Sequence, residues 1–421
     1  MESQEHNITP LESLNLELPP SCIEFCPAHP EYFIVGTYNL QPENASEVKL
    51  EEANEQQPTL KKPQNRNGSL VVFQLLDKSG ICHVQTVSCP SALLDIHFHP
   101  DPAKQNVAAV VSSTGALSFF RLDPSSSASE PLGEISTHKP LGDTDDVLFL
   151  SCAWHPTLYD LLAVTTSDHH VHVLRVDDDW NVHETTPQPI ITHSLEAWTV
   201  AFSPFSASIP AEEGACVFPR SQTATLFSGG DDSKLLLSTL TCHPAQNGGG
   251  GRVIEAISSP STVKGHEAGV TAILPLELIL PDSSMIVITG SYDDQVRVYD
   301  IPAPVAGIIP RRPKVIGQKN LGGGVWRLKL IHLSKENDDG CLEATKWTAL
   351  VLASCMHAGS HILEISGNRN VDCLIRILGR MDGHKSMNYG SDFQPGSELG
   401  ERNLRCISTS FYDKLLCFWE V

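Results

Sequence analysis

One spacing rule constrains this chain more than any other feature: a turn residue stands six positions before the residue that closes a strand, and it does so seven times. The clearest copy is TGSYDDQVRVYD (289–300), in which a strand enters a tight turn at Asp293 and returns as an alternating strand ending on Tyr299 and Asp300. Asp413 stands six before Trp419, Asp168 before Leu174 and Asp232 before Ser238. Weaker copies join Asn67 to Phe73, Thr114 to Phe120 and His357 to Leu363. The closing residues fall 47 to 64 positions apart along 421 residues. Ahead of them runs a second pattern, a short strand ending in an aromatic or a proline, as in LLDIHFHP (93–100), LSCAWHP (150–156) and WTVAFSP (198–204). No run with helical period competes.

Seven units of strand, turn and strand in register predict an all-β, seven-bladed WD-repeat β-propeller formed as one domain over 1–421. Each such repeat supplies three strands of one blade and the outer strand of the next. The last copy ends on its third strand, so one outer strand must come from elsewhere. Leu14, Leu16 and Leu18 alternate with polar residues in LNLEL, and this N-terminal strand is expected to close the ring and cover an open sheet edge. Residues 41–67, rich in Glu, Gln, Asn, Lys and Pro, are expected to be a disordered acidic insertion within blade one. Ser125–Ser129, Asn247–Gly251 and Ser334–Gly340 are expected to be shorter loops.

A composition of 41% hydrophobic and 19% charged residues supports a large core. The formal net charge of −21 argues against nucleic acid as the partner and suits either solubility or a cationic partner. Of the twelve cysteines, no two are separated by only two residues, and Cys152, Cys355, Cys406 and Cys417 lie in apolar runs. They are expected to be reduced. The N-terminal MESQEH lacks the basic-then-apolar order of a signal peptide, and no apolar run approaches the roughly 18 residues of a membrane span. The expectation is a soluble, cytoplasmic monomer that touches no membrane.

Most His and Asp residues here belong to turns. His266, Asp293, Thr289 and Tyr299 fit a tetrad in which a His bonds the turn Asp and connects through a hydroxyl to the third-strand aromatic. His384, Asp413 and Trp419 repeat it, and His193 with Asp232 fits less fully because Ser238 replaces the aromatic. His357 breaks the rule by occupying the turn-Asp register, where an exposed imidazole could serve as a general base. His170 and His172 share a strand face but show no third ligand, so no metal is expected. No G-x-S-x-G elbow, P-loop, dinucleotide fingerprint or H-E-x-x-H occurs, and no cofactor is expected. Aligning the inner strands on Phe202, Leu330 and Phe393 puts Trp198, Trp326 and Tyr389 at one register near the mouth. Tyr292 and Tyr412 precede turn Asps at the same rim, with Glu196, Asp231 and Asp392 close in sequence. Rings with carboxylates suit a quaternary ammonium group.

HSLEAWTVAFSP, SGGDDSKL, GGGVWRLK (322–329), LASCMHAGSHIL (352–363), YGSDF (389–393) and SFYDKLLCFWE (410–420) together resemble the diphthine methylesterase family, WD-repeat proteins of diphthamide biosynthesis. The resemblance is concentrated in 190–421. Ser238 stands where that family usually has Trp. The resemblance implies a carboxylic ester hydrolase acting on methylated diphthine, a modified His of translation elongation factor 2. Ester hydrolysis needs an activated water and donors for the oxyanion, and we assign His357 as base, Arg327 as carboxylate or oxyanion partner, and Trp198, Trp326, Tyr389, Asp392 and Tyr412 around the substrate's trimethylammonium group. The alternative from a different class is a non-catalytic WD-repeat scaffold for protein complexes, in trafficking or ubiquitin ligation.

Overall fold

The computed structural model describes residues 6–40, 66–76, 80–142, 146–205, 221–244, 252–280, 283–302, 311–337, 344–368, 371–397 and 403–421. Every regular element among them is a β-strand, and these form seven sheets. Each sheet is a blade, and its innermost strand faces a central channel. The inner strands are Pro20–Phe25, Leu93–Phe98, Phe149–Trp154, Ala197–Phe202, Val270–Ile279, Arg327–Asn337 and Asn388–Phe393, in blades one to seven. Each packs against the next, and the seventh packs against the first, so the ring is closed.

Seven apolar clusters hold it together, one in each gap between neighbouring blades. Blades five and six share Ile286, Val298, Val325 and Val351, and blades seven and one share Phe25, Phe33, Ile407 and Phe418. The alternation visible in the sequence places these side chains on the faces that stack. Gly229 and Gly290, in the second strands of blades four and five, make the approach possible. A side chain there would meet the carbonyl of Val270 at the start of the next inner strand, or of Val325 just ahead of it, at 2.7 and 2.6 Å.

The N-terminal segment lies across two blades. Glu12–Asn15 pairs antiparallel with Leu415–Glu420 of blade seven, and His6–Ile8 pairs parallel with Val371–Met381 of blade six. The strand therefore begins two residues before the LNLEL segment, and Leu14 and Leu16 pack toward the cluster between blades seven and one. The parallel strand on blade six was not legible in the sequence. Residues 41–65 of the expected insertion lie outside the described residues. Its last two, Arg66 and Asn67, already belong to the strand Arg66–Leu76. The loop expected at Ser334–Gly340 is a strand as far as Asn337, extending the inner strand of blade six.

The turn tetrads differ from expectation. In blade five His266 bonds Thr289 at 2.9 Å and meets the Tyr299 hydroxyl at 3.3 Å, while Asp293 turns instead to Arg297 and to the backbone N–H groups of Glu267 and Gln295. In blade seven His384 and the Trp419 indole N–H share Ser408, and Asp413 accepts from Ser386, Ser410 and the Lys385 N–H. The full His–Asp link survives in blade four, where His193 joins Asp232 and Ser228 at 2.9 Å each. There the missing aromatic leaves Ser238 buried, with no partner for its hydroxyl among the described residues. In blade five a neighbouring Arg297 outbids the imidazole for the carboxylate, because a charged donor makes the stronger bond.

Candidate active site at the channel mouth

A bulge repeats at the second position of the inner strands in six blades. The extra residues are Ser21, Leu94, Leu150, Trp198, Thr271 and Tyr389. In blade six the corresponding residue, Trp326, sits just ahead of the strand, its N–H donating to Ser354. A bulged residue leaves the pleat, so its side chain is re-aimed. The large rings at this position therefore gather at one end of the channel instead of alternating into the core. Trp198 and Trp326 have ring centroids 5.7 Å apart, and Trp326 and Tyr389 4.9 Å. Tyr292, from the turn of blade five, lies 5.8 Å from Trp326. Phe411 continues the series 5.6 Å from Tyr389 and touches both Tyr412 and Tyr38. The expected trio is thus brought together, and Tyr412 joins it through Phe411 with 69% of its surface exposed. Phe411 and Tyr38 were missed because neither occupies the bulge register.

The carboxylates divide differently. Asp231 is exposed at this rim, with one oxygen 3.4 Å from the Trp198 indole nitrogen. Asp392, expected beside the rings, is three residues deeper along its strand, buried, and paired with Lys329 at 2.8 Å. It also accepts the Phe25 N–H at 2.7 Å.

Asp392 belongs to an ionic network that fills the channel below the mouth. Arg327 grips Asp95 on the opposite side of the ring through two hydrogen bonds, at 2.9 and 3.3 Å. Asp95 also accepts from Ser151 and the Cys152 N–H. His97 lies 3.3 Å from Asp95 and 3.1 Å from Glu24, and Lys329 reaches Glu24 at 3.6 Å. Burial disfavours the charge on His97, but Asp95 and Glu24 outweigh it and hold its pKa up at about 9. Burial likewise opposes ionisation of Asp95, and Arg327 and His97 overcome it, holding the carboxyl well below the usual range. With His97 protonated, Arg327, Lys329 and His97 balance Asp95, Glu24 and Asp392. Arg327, expected to face a substrate carboxylate or oxyanion, is thus committed to Asp95, with 22% of its side chain exposed.

His357 is exposed on the turn between the second and third strands of blade six. In other blades the turn acid is followed by a residue of positive φ, as at His169, Ser233, Asp294 and Lys414. Here the positive φ values fall on Met356 and Gly359, on either side of His357. The turn closes through Ala358 N–H to the Cys355 carbonyl and Cys355 N–H to Gly359. No side-chain hydrogen bond of His357 occurs among the described residues, whereas Asp232 and Asp293 cap backbone N–H groups from that register. Met356 ties the turn to the mouth: its carbonyl accepts the N–H of Asn388, the residue before Tyr389, at 2.9 Å. Its sulfur lies 2.7 Å from where a side chain on Gly324 would begin, next to Tyr292. Cys355 is fully buried, and burial pushes its thiol up, out of nucleophile range. His170 and His172 have rings 6.0 Å apart, and no metal-holding group of three ligands occurs among the described residues.

No family model matches the chain. Curated relatives do, over more than nine-tenths of this chain. A protein of Dictyostelium discoideum named diphthine methyltransferase homolog is 25% identical, covering 96% of this chain and 97% of its own. A diphthine methyltransferase of Schizosaccharomyces pombe is 26% identical with 99% of both chains covered, and one of mouse is 25% identical over 91% of this chain and 69% of its own. The similarity runs through the N-terminal blades as well as 190–421, so along its length the chain is similar to proteins named for diphthine, in keeping with the resemblance of its mouth-lining motifs.

Proposed function

We propose that the protein acts in diphthamide biosynthesis as a methylesterase, in the cytoplasm, on the methylated diphthine of translation elongation factor 2. Water replaces methoxide at the ester carbonyl, giving the carboxylate of diphthine, a proton and methanol. The observation that carries the reading is the joined set of rings Trp198, Trp326, Tyr292 and Tyr389 with Asp231 at its edge. A trimethylammonium group gains about 0.5–2 kcal/mol from each well-placed ring, and diphthine carries that group close to its carboxyl. Such a mouth would therefore present the ester at the rim, where His357 stands on the turn that Met356 joins to Tyr389. His357 is the proposed base for the attacking water. Arg327, the residue after Trp326 in the chain, is held by Asp95 in the channel, so its proposed part is to anchor that strand end instead of meeting the oxyanion. The acidic net charge favours approach of a basic protein surface.

The relatives are named methyltransferases, a reaction that runs in the opposite sense and consumes a methyl donor. The two are separated by one experiment. Elongation factor 2 bearing methylated diphthine is mixed with the purified protein alone, and methanol and intact mass are followed. Methanol release with loss of the ester methyl supports the proposal. Label appearing on unesterified diphthine only when S-adenosylmethionine is added supports transfer instead. Absence of both reactions leaves the scaffold reading.

A further inference from the structure

We infer that Asp231 is the counter-charge that selects a quaternary ammonium group at the mouth, and that Gly269 holds the slot open for it. The inference rests on the proposed function for the identity of the cation and on the geometry for everything else. Asp392 cannot fill this role, since Lys329 and the Phe25 N–H already occupy its carboxylate. Asp231 has no lysine or arginine partner among the described residues. Its backbone is pinned by its N–H to the Glu196 carbonyl at 2.8 Å, which fixes it beside the strand carrying Trp198.

The slot has a defined shape. Blade five places Thr271 at the bulge position where its neighbours place Trp198 and Trp326. Its hydroxyl is turned aside onto the Val325 carbonyl at 2.5 Å. A small residue here lets the two indoles meet across blade five, and Asp231 and Tyr292 flank the gap from the adjoining turns. Gly269 lies between those two. A β-carbon built on it would sit 2.8 Å from an Asp231 carboxylate oxygen and 2.8 Å from the Tyr292 ring. Its backbone needs no unusual φ, so glycine is required for space alone. Tyr292 is held there by its own N–H, which donates to the Gly269 carbonyl at 2.9 Å. A carboxylate at the edge of aromatic faces attracts a cation that cannot donate hydrogen bonds, and a neutral group of equal size gains only the contact.

The test uses the full-length protein and two probes, choline and its uncharged isostere 3,3-dimethylbutan-1-ol, titrated against tryptophan fluorescence. The wild type is expected to bind choline more tightly than the alcohol. Asp231→Asn should weaken choline about 5-fold, the upper range for an exposed charge pair, and leave the alcohol unchanged. Gly269→Ala should weaken choline by at least about 5-fold through crowding, and thermal unfolding checks that the variant is folded. If Gly269→Ala does not fold, Asp231→Asn decides alone. Choline binding that Asp231→Asn leaves intact, or wild type that does not distinguish the two probes, overturns the inference. Charge-selective binding without methanol release would sustain this site and refute the esterase; methanol release indifferent to Asp231→Asn would do the reverse.

Discussion

Replacing His97 by Asn should remove a pH-dependent part of the protein's stability that no surface histidine could supply. The imidazole stands 3.1 Å from Glu24 and 3.3 Å from Asp95, and these carboxylates raise its pKa from the ordinary 6.5 to about 9. A rise of that size corresponds to about 3 kcal/mol favouring the folded state. Because the folded pKa is raised, the full contribution is present below pH 6.5, where both folded and unfolded chains carry the proton. It drains away as pH climbs through about 9. Wild type and His97→Asn should therefore differ most in urea-unfolding free energy at pH 6 and converge by about pH 10, monitored by tryptophan fluorescence. Taking the difference between the two proteins cancels the titration of cysteines and lysines common to both. A difference that stays constant from pH 6 to pH 10 would show that His97 is neutral in the channel, and the charge balance inferred there would be wrong.

His357→Ala should lower methanol release by about 100- to 10,000-fold while leaving the melting temperature near wild type, and His357→Asp should be equally inactive; full activity in His357→Asp moves the base elsewhere. Ser238→Ala should raise stability by about 1 kcal/mol in chemical denaturation, since it removes a buried hydroxyl that has no partner among the described residues. Asp232→Ala should cost about 2 kcal/mol by stranding His193 and Ser194. Burial opposes ionisation of Asp232, but the Ser194 N–H and His193 lower its pKa from 3.8 to about 2, so its contribution is present above pH 4 and fades as pH falls through 2. Deleting residues 6–15 should lower the melting temperature far more than deleting 41–65, because it uncovers the edges of blades six and seven together.

The repeat was readable because its turn geometry is local: in blades two to seven the turn stands six residues before the marked third-strand position, whereas in blade one Asn67 already lies within the strand Arg66–Leu76. The rings at the mouth were readable for a similar reason, as Trp198, Trp326 and Tyr389 each stand four residues before Phe202, Leu330 and Phe393. What an offset cannot reveal is which way a side chain leaves the strand. Tyr389 and Asp392 lie on one short strand, yet the bulge at Tyr389 sends its ring to the rim while Asp392 stays inside with Lys329. The channel network was invisible because its partners are far apart in sequence. Arg327 and Asp95 are 232 residues apart, and only closure of the ring sets them face to face. The tetrads erred through competition: sequence names the groups in a turn, but Arg297 or Ser386 decides which of them receives the carboxylate.

The N-terminal segment also imposes an order on synthesis. Residues 6–15 leave the ribosome well before their hydrogen-bonding partners, which lie in 371–420. At about 5–20 residues per second this amounts to roughly 20 to 80 s of waiting. Throughout that interval two short strands and the exposed Leu11 are without their mates, while blades one to five are already emerging with edges of their own. The outer edges of blades six and seven are therefore covered only after 371–420 have been made, so closure of the ring is a late, post-synthetic step.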